Sequence, residues 1–282
     1  MSIHVKRIWG AASRDFLPGA SLFAYRSLNV VSLLFIMTKE TKLAVLIDGD
    51  NIPSGYIKEM MEEITKYGTP TIKRIYGDWT KPHLIKWKNL LLENAINPVQ
   101  QYSYTTGKNS TDSAMIIDAM DILYSGKVDG FCLVSSDSDF TRLATRLREA
   151  GMVVYGIGEK KTPGPVIAAC DKFIYLEILK TDGDMDESQK KKAKSEYDKV
   201  TSKVIRLLRN SVDDAADEDG WAFLGDVGSL ILKKQPNFDA RNFGFEKLTP
   251  LFRSTGQFEI EQRDHAGGKS KLIYVRNKKP IA

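Results

Sequence analysis

The stretch Leu43-Ala-Val-Leu-Ile-Asp48-Gly49-Asp50-Asn51 constrains this chain most. An apolar run too short for a typical helix ends abruptly in carboxylates. That is the form of a buried parallel strand delivering acids to the carboxyl edge of a sheet. Ligands of open α/β sheets bind at that edge. A second apolar run, Phe131 to Ser136, leads into Asp137-Ser138-Asp139-Phe140. A further acid, Asp112, opens the amphipathic run Ser113 to Tyr124. Carboxylates brought together repel one another and resist ionisation unless a cation neutralises them. Hard oxygen donors suit Mg2+ or Mn2+, which take a few carboxylates plus waters and substrate phosphates.

Around these acids the pattern alternates. Strands are expected at Lys42 to Asp48, Thr69 to Tyr76, Ile96 to Ser103, Val128 to Ser135, Met152 to Ile157 and Phe173 to Ile178. Helices are expected at Tyr56 to Tyr67, Lys81 to Ala95, Thr111 to Tyr124 and Phe140 to Ala150. In the second of these, Leu84, Ile85, Trp87, Leu91 and Leu92 are read as the apolar stripe. Such repetition implies a mostly parallel sheet with right-handed crossovers and helices on both faces.

A polar, charged segment at 181–195 interrupts the pattern and reads as a linker. A second unit over 196–278 follows. Helices are expected at Tyr197 to Val212, Trp221 to Lys233 and Asn242 to Ser254, and then two strands around Phe258 and Tyr274. Three helices and a hairpin make a winged helix-turn-helix pattern. Ahead of the first strand, residues 1–41 read as a leader: a disordered tail, a targeting segment, or an upstream extension before a start at Met37. Its apolar stretch is too short to span a bilayer.

Composition sets broad limits. The 282 residues allow one large or two ordinary domains, and 42% hydrophobic with 27% charged residues is the balance of a soluble globular protein. A net charge of +5 permits a polyanionic partner. The two cysteines, Cys132 and Cys170, sit in apolar surroundings and read as buried thiols in a reducing, cytoplasmic setting. The three histidines lie in unrelated contexts, and no Cys/His spacing suggests zinc.

Residues 42–180 resemble the NYN family, relatives of the PIN-domain nucleases. The resemblance rests on Leu-Ile-Asp48-Gly-Asp-Asn51, Ile-Tyr76-Gly-Asp-Trp79, Gly107-Lys108 with Thr111-Asp112, and Ser135-Ser-Asp137-Ser-Asp139-Phe140, in that order. It implies a PIN-like α/β/α fold and metal-dependent endoribonuclease activity. It also implies that Asp48, Asp112 and Asp137 bind Mg2+ or Mn2+, with Asn51 and Asp139 supporting the site. The second unit resembles the OST-HTH/LOTUS family through Gly220-Trp-Ala222, Pro236-Asn-Phe-Asp239, Phe243-Gly-Phe245 and Ile273-Tyr-Val275. That family is a winged helix-turn-helix implicated in RNA binding and protein contacts.

The expected protein is thus a two-module ribonuclease acting on RNA, with no membrane association. A protein partner through the second unit and a homodimer are both compatible with it. Asp48 is assigned to bridge metal, and Asp112 and Asp137 to ligate it directly or through water. Asn51 would hold a carboxylate or phosphate, and Asp139 would orient the water or bind metal. Lys108, Arg142, Lys269 and Lys271 are candidate contacts to RNA phosphate. Asp50 is ranked lower, on the expectation that it points away from Asp48 if the strand continues. The plainer reading of each single Asp is a cap or turn former. The alternative for the whole chain is a non-catalytic RNA-binding or regulatory scaffold. A haloacid-dehalogenase-type phosphatase, suggested by Asp48-Gly-Asp50, fails on Ile52 and on its missing motif lysine.

Overall fold

The apolar runs do form a fully parallel sheet. The computed structural model describes residues 40–102, 110–179, 197–264 and 271–278. Strands β1 (Lys42–Asp48), β2 (Thr69–Gly77), β3 (Asn97–Gln100), β4 (Gly130–Val134), β5 (Val153–Gly158) and β6 (Lys172–Tyr175) lie in the order β3-β2-β1-β4-β5-β6. Every neighbouring pair is parallel. Helices α1 (Ile57–Thr65), α2 (Trp87–Glu93), α3 (Ser110–Ser125), α4 (Thr141–Glu149) and α5 (Gly164–Ala168) connect them.

Alternation along β1 explains the layers. Leu43, Val45 and Ile47 share one face with Met60 and Ile64 of α1 and Trp87 and Leu91 of α2. Ala44 and Leu46 point the other way, toward Met115 and Ala119 of α3 and Leu143 and Leu147 of α4. A strand buried on both faces is apolar at every position, as β1 is. The chain leaves β1 toward β2 and β3, then returns on its other side with β4, β5 and β6. The switch point therefore falls between β1 and β4, where open α/β sheets hold ligands.

The second unit is a separate small layer. It comprises α6 (Ser202–Ala215), β7 (Ala222–Phe223), α7 (Leu224–Lys234), a 3₁₀ turn at Ala240–Phe243, α8 (Leu248–Thr255), β8 (Phe258–Asp264) and β9 (Lys271–Asn277). Its strands are antiparallel in the order β7-β9-β8. Leu208, Val227, Ile231, Leu251, Phe252 and Val275 form its core.

Several expectations need correction. The helix expected from Lys81 begins as a 3₁₀ turn, Pro82–Lys86, and becomes α-helical only at Trp87. This change of twist turns Ile85 and Leu92 outward, at 68% and 84% exposure, and leaves Leu84, Trp87 and Leu91 inside. Helix α5 was not expected from the sequence; its Pro163-Gly-Pro165 start obscures the period. Trp221 to Phe223 was expected as helix, but Ala222 and Phe223 pair with Val275 and Tyr274 as a strand. The helix expected from Asn242 breaks at Gly244, whose φ of 80° is left-handed. Trp221 is half-buried, with the Arg263 and Arg276 guanidinium groups 5.1 and 4.7 Å from its ring centre. The leader and linker expectations fall on residues 1–39 and 180–196, outside the described residues.

Candidate active site

The two-residue period that buries Leu46 on the α3 side carries Asp48 to that side as well. The same period on β4, where Phe131 and Leu133 face α3 and α4, brings Ser135 round to the same place. The Ser135 hydroxyl donates to Asp48 Oδ2 at 2.8 Å, and Asn51 Nδ2 donates to the same oxygen at 2.8 Å. Gly49 lets the chain turn here. Its N–H donates to the Tyr76 carbonyl at 2.8 Å, and a Cβ would lie 2.9 Å from that oxygen.

Asp48 is only 1% exposed. Its Oδ1 is buried with no hydrogen-bond partner among the described residues. Burial pushes its carboxyl above the ordinary range, against the opposing pull of the Asn51 and Ser135 hydrogen bonds. An unpaired buried oxygen costs about 1–3 kcal/mol.

Asp112 lies in the first turn of α3, where the helix dipole favours an acid. It is buried, and its carboxyl is pushed up to about 6, first by burial and then by Asp48, Asp137, Asp139 and Asp50 in turn. That ranking is the electrostatic signature of convergence, since acids at separate helix ends do not reach one another. Asp137 caps the 3₁₀ turn that leads into α4. Its Oδ1 accepts the Asp139 N–H at 3.0 Å, and its own N–H donates to Ser135 Oγ at 3.1 Å. The capping role read as the plain alternative is therefore real for Asp137, and it is what aims this residue. Asp139 is exposed on the same turn.

Asp50 stays near the cluster instead of leaving it. It accepts from Thr111 Oγ1 at 3.0 Å, beside Asp112, and lies 3.2 Å from His83 Nε2 and 3.7 Å from Lys81 Nζ. Ranking it lower misapplied the alternation: two residues on from Asp48, Asp50 falls on the same face even if the strand continues. Asp118 of α3 accepts hydrogen bonds from Arg74 and Tyr76 of β2. Asp78 shapes its own turn by accepting from Thr80 Oγ1 at 2.6 Å and from Gln100 at 3.2 Å.

Of the candidate RNA contacts, Arg142 on α4 and Lys271 on β9 are exposed. Lys108 and Lys269 fall outside the described residues. Sequence reasoning missed Ser135 as a site residue. The signal was present: it directly follows β4 on the same alternation that Asp48 follows on β1.

All donors in the cluster are hard oxygens, and the unpartnered Asp48 Oδ1 and the raised Asp112 both fit a divalent cation. Among the described residues no three His, Cys, Asp or Glu side chains already stand together at metal-ligating separation. A cation that keeps several of its waters, as Mg2+ does, fits such a looser ring.

Among the described residues no helix is long and apolar enough to cross a membrane. Among solved structures, the chain is similar to a protein of unknown function from Vibrio parahaemolyticus. That match is 20% identical, covers 48% of this chain and 93% of the other, and has a TM-score of 0.42. An uncharacterized protein of Nitrosomonas europaea is 27% identical over 36% of this chain and 86% of its own, with a TM-score of 0.27. At these TM-scores neither likeness bears on fold or function. An uncharacterized protein of Methanocaldococcus jannaschii is 25% identical over 169 residues, 58% of this chain. The match spans 66% of that relative, just under two thirds of its length. The NYN domain model matches residues 42–177, and the OST-HTH/LOTUS domain model matches residues 195–270. NYN domains are a PIN-like nuclease family and OST-HTH/LOTUS domains bind RNA, a pairing that supports an RNA-related nuclease function. The chain therefore carries an NYN domain at residues 42–177 followed by an OST-HTH/LOTUS domain at residues 195–270.

Proposed function

We propose that this protein is a divalent-metal-dependent endoribonuclease that hydrolyses RNA phosphodiesters at the Asp48–Asp112–Asp137 cluster, with the OST-HTH/LOTUS domain recruiting the RNA. The observation that carries the reading is Asp48 Oδ1, a buried carboxylate oxygen at the β1–β4 switch point with no partner among the described residues, beside an acid held near 6 by burial and by its neighbouring carboxylates. Asp48, Asp112 and Asp137 would hold Mg2+ or Mn2+, which when bound would supply neutralising charge for the scissile phosphate and lower the pKa of a water. The chain's own residues do the rest. Ser135 and Asn51 hold Asp48 by one oxygen and leave the other free. Asp139, exposed on the rim, orients the attacking water. Arg142 and Lys271 contact RNA phosphates.

The competing reading is a non-catalytic RNA-binding scaffold. It is favoured by the absence, among the described residues, of three acids already at ligating separation.

The test is cleavage of a mixed RNA pool with Mn2+ or Mg2+, beside EDTA and an Asp137→Asn variant. Cleavage abolished by EDTA and reduced at least 100-fold in the variant is the expected result. RNA that is bound but never cut moves the reading to the scaffold. Cleavage that survives in the variant places the chemistry elsewhere.

A further inference from the structure

Glu63 lies in α1, on the opposite side of the sheet from the carboxylate cluster, yet it is only 3% exposed. The group that covers it comes from the second domain. Arg241 donates to both Glu63 oxygens, Nη1 to Oε2 at 2.9 Å and Nη2 to Oε1 at 2.8 Å. The same guanidinium donates to Asp239 from Nε at 3.0 Å and from Nη2 at 2.7 Å. Lys66 and the Tyr67 hydroxyl complete the cage, each 2.7 Å from a Glu63 oxygen. Lys172 sits over the Tyr67 ring, 4.8 Å from its centre.

Two further links lie along the open edge of the sheet. The Phe173 N–H of β6 donates to the Pro236 carbonyl at 2.9 Å, and Asn237 Nδ2 donates to the Tyr175 hydroxyl at 2.7 Å. The second domain thus covers the unpaired edge that a terminal strand otherwise exposes. From Thr41 onward the chain forms one compact unit.

A forked, doubly bidentate arginine fixes orientation as well as distance, because both planes must match. Burial alone would raise the Glu63 carboxyl. The hydrogen bonds from Arg241, Lys66 and Tyr67 outweigh it and hold the group at about 2.

We infer that Arg241 and Glu63 form a latch that holds the OST-HTH/LOTUS domain rigidly on the NYN domain, so that a single RNA strand spanning both is presented to the carboxylate cluster at one set spacing. The delivery half of this inference rests on the ribonuclease reading; the latch does not. A flexible tether would raise local RNA concentration without choosing the position of the cut. A rigid one chooses it.

The test uses the full chain, with dyes on cysteines introduced at the exposed positions Leu92 and Arg253; native Cys132 and Cys170 are buried. The expected result is one narrow inter-dye distance distribution for the unaltered chain and a broadened one for Arg241→Ala. Glu63→Gln, which leaves the second domain untouched, should broaden it too. With end-labelled RNA long enough to span both domains, both variants should lose the dominant product length and about tenfold in kcat/KM. On RNA too short to span, they should match the unaltered protein. A broad distribution in the unaltered chain, or an equally narrow one in both variants, overturns the latch. A latch that behaves as expected in a protein that cuts no RNA removes the delivery role and the ribonuclease reading while leaving the latch standing.

Discussion

Asp112 shows how a residue can be kept at a cost to the fold. Its carboxyl is raised from the ordinary 3.8 to about 6, so the folded state opposes its ionisation. An acid with a raised folded pKa contributes stability below its unfolded pKa, and that contribution is lost as pH rises through the folded value. Without divalent cation, Asp112→Asn should therefore stabilise the protein at pH 7, by about 1–2 kcal/mol after allowance for partial screening. That corresponds to a rise in Tm of roughly 2–8 °C for a chain of this size. The gain should shrink as pH falls from 6 toward 3.8 and vanish below it. Thermal unfolding at several pH values in EDTA checks this, and a variant less stable at pH 7 would mean that the repulsion is not there. At this scale much of the site was legible. Asp48, Asn51, Asp112 and Asp137 stand where strand ends and helix starts put them. Asp50 was misjudged, because residues two apart on a strand share a face and it therefore lies on the Asp48 side.

The elements depend on close approach at a few points. Gly156 of β5 is one: a Cβ there would lie 2.5 Å from the Phe173 ring and 2.8 Å from Cys170 Sγ. Both neighbours are buried and cannot swing away. Gly156→Ala should therefore cost about 1–3 kcal/mol through overpacking. Thermal unfolding would read it as a fall in Tm of several degrees, together with faster exchange of the Phe173 amide, which is bonded across to Pro236. An unchanged Tm would mean that β5 and β6 can separate freely. Strand positions were legible because apolar runs bounded by turns are local signals. The short α5 and the strand β7 were not. A five-residue helix carries too little period, and β7 exists only because β9 is there to pair with it.

For the whole molecule, the Glu63 latch sets a pH window. A carboxylate with a depressed pKa contributes stability that is present above its unfolded value of 4.5 and lost as pH falls toward 2. The groups facing it are Lys66, Tyr67, Arg241, Asp239 and Lys172. The two domains should unfold in a single cooperative transition at pH 7 and still at pH 5, and separate into two transitions as pH falls from about 3 to 2. Calorimetry across that range decides it, and two transitions already at pH 7 would count against the latch.

The sequence by itself determined which segments form the six parallel strands, which residues end them in acid, and that two domain patterns follow one another. Those are properties of short windows, where apolar period, caps and breakers act on their own neighbours. Tertiary structure alone decided that Ser135 would hold Asp48, that four other acids would crowd Asp112, and that Arg241 would find Glu63 across 178 residues of chain. Such partners are chosen by which surfaces the folded layers bring together. No local pattern in α1 distinguishes Glu63, which is buried, from the neighbouring Glu62, which faces solvent.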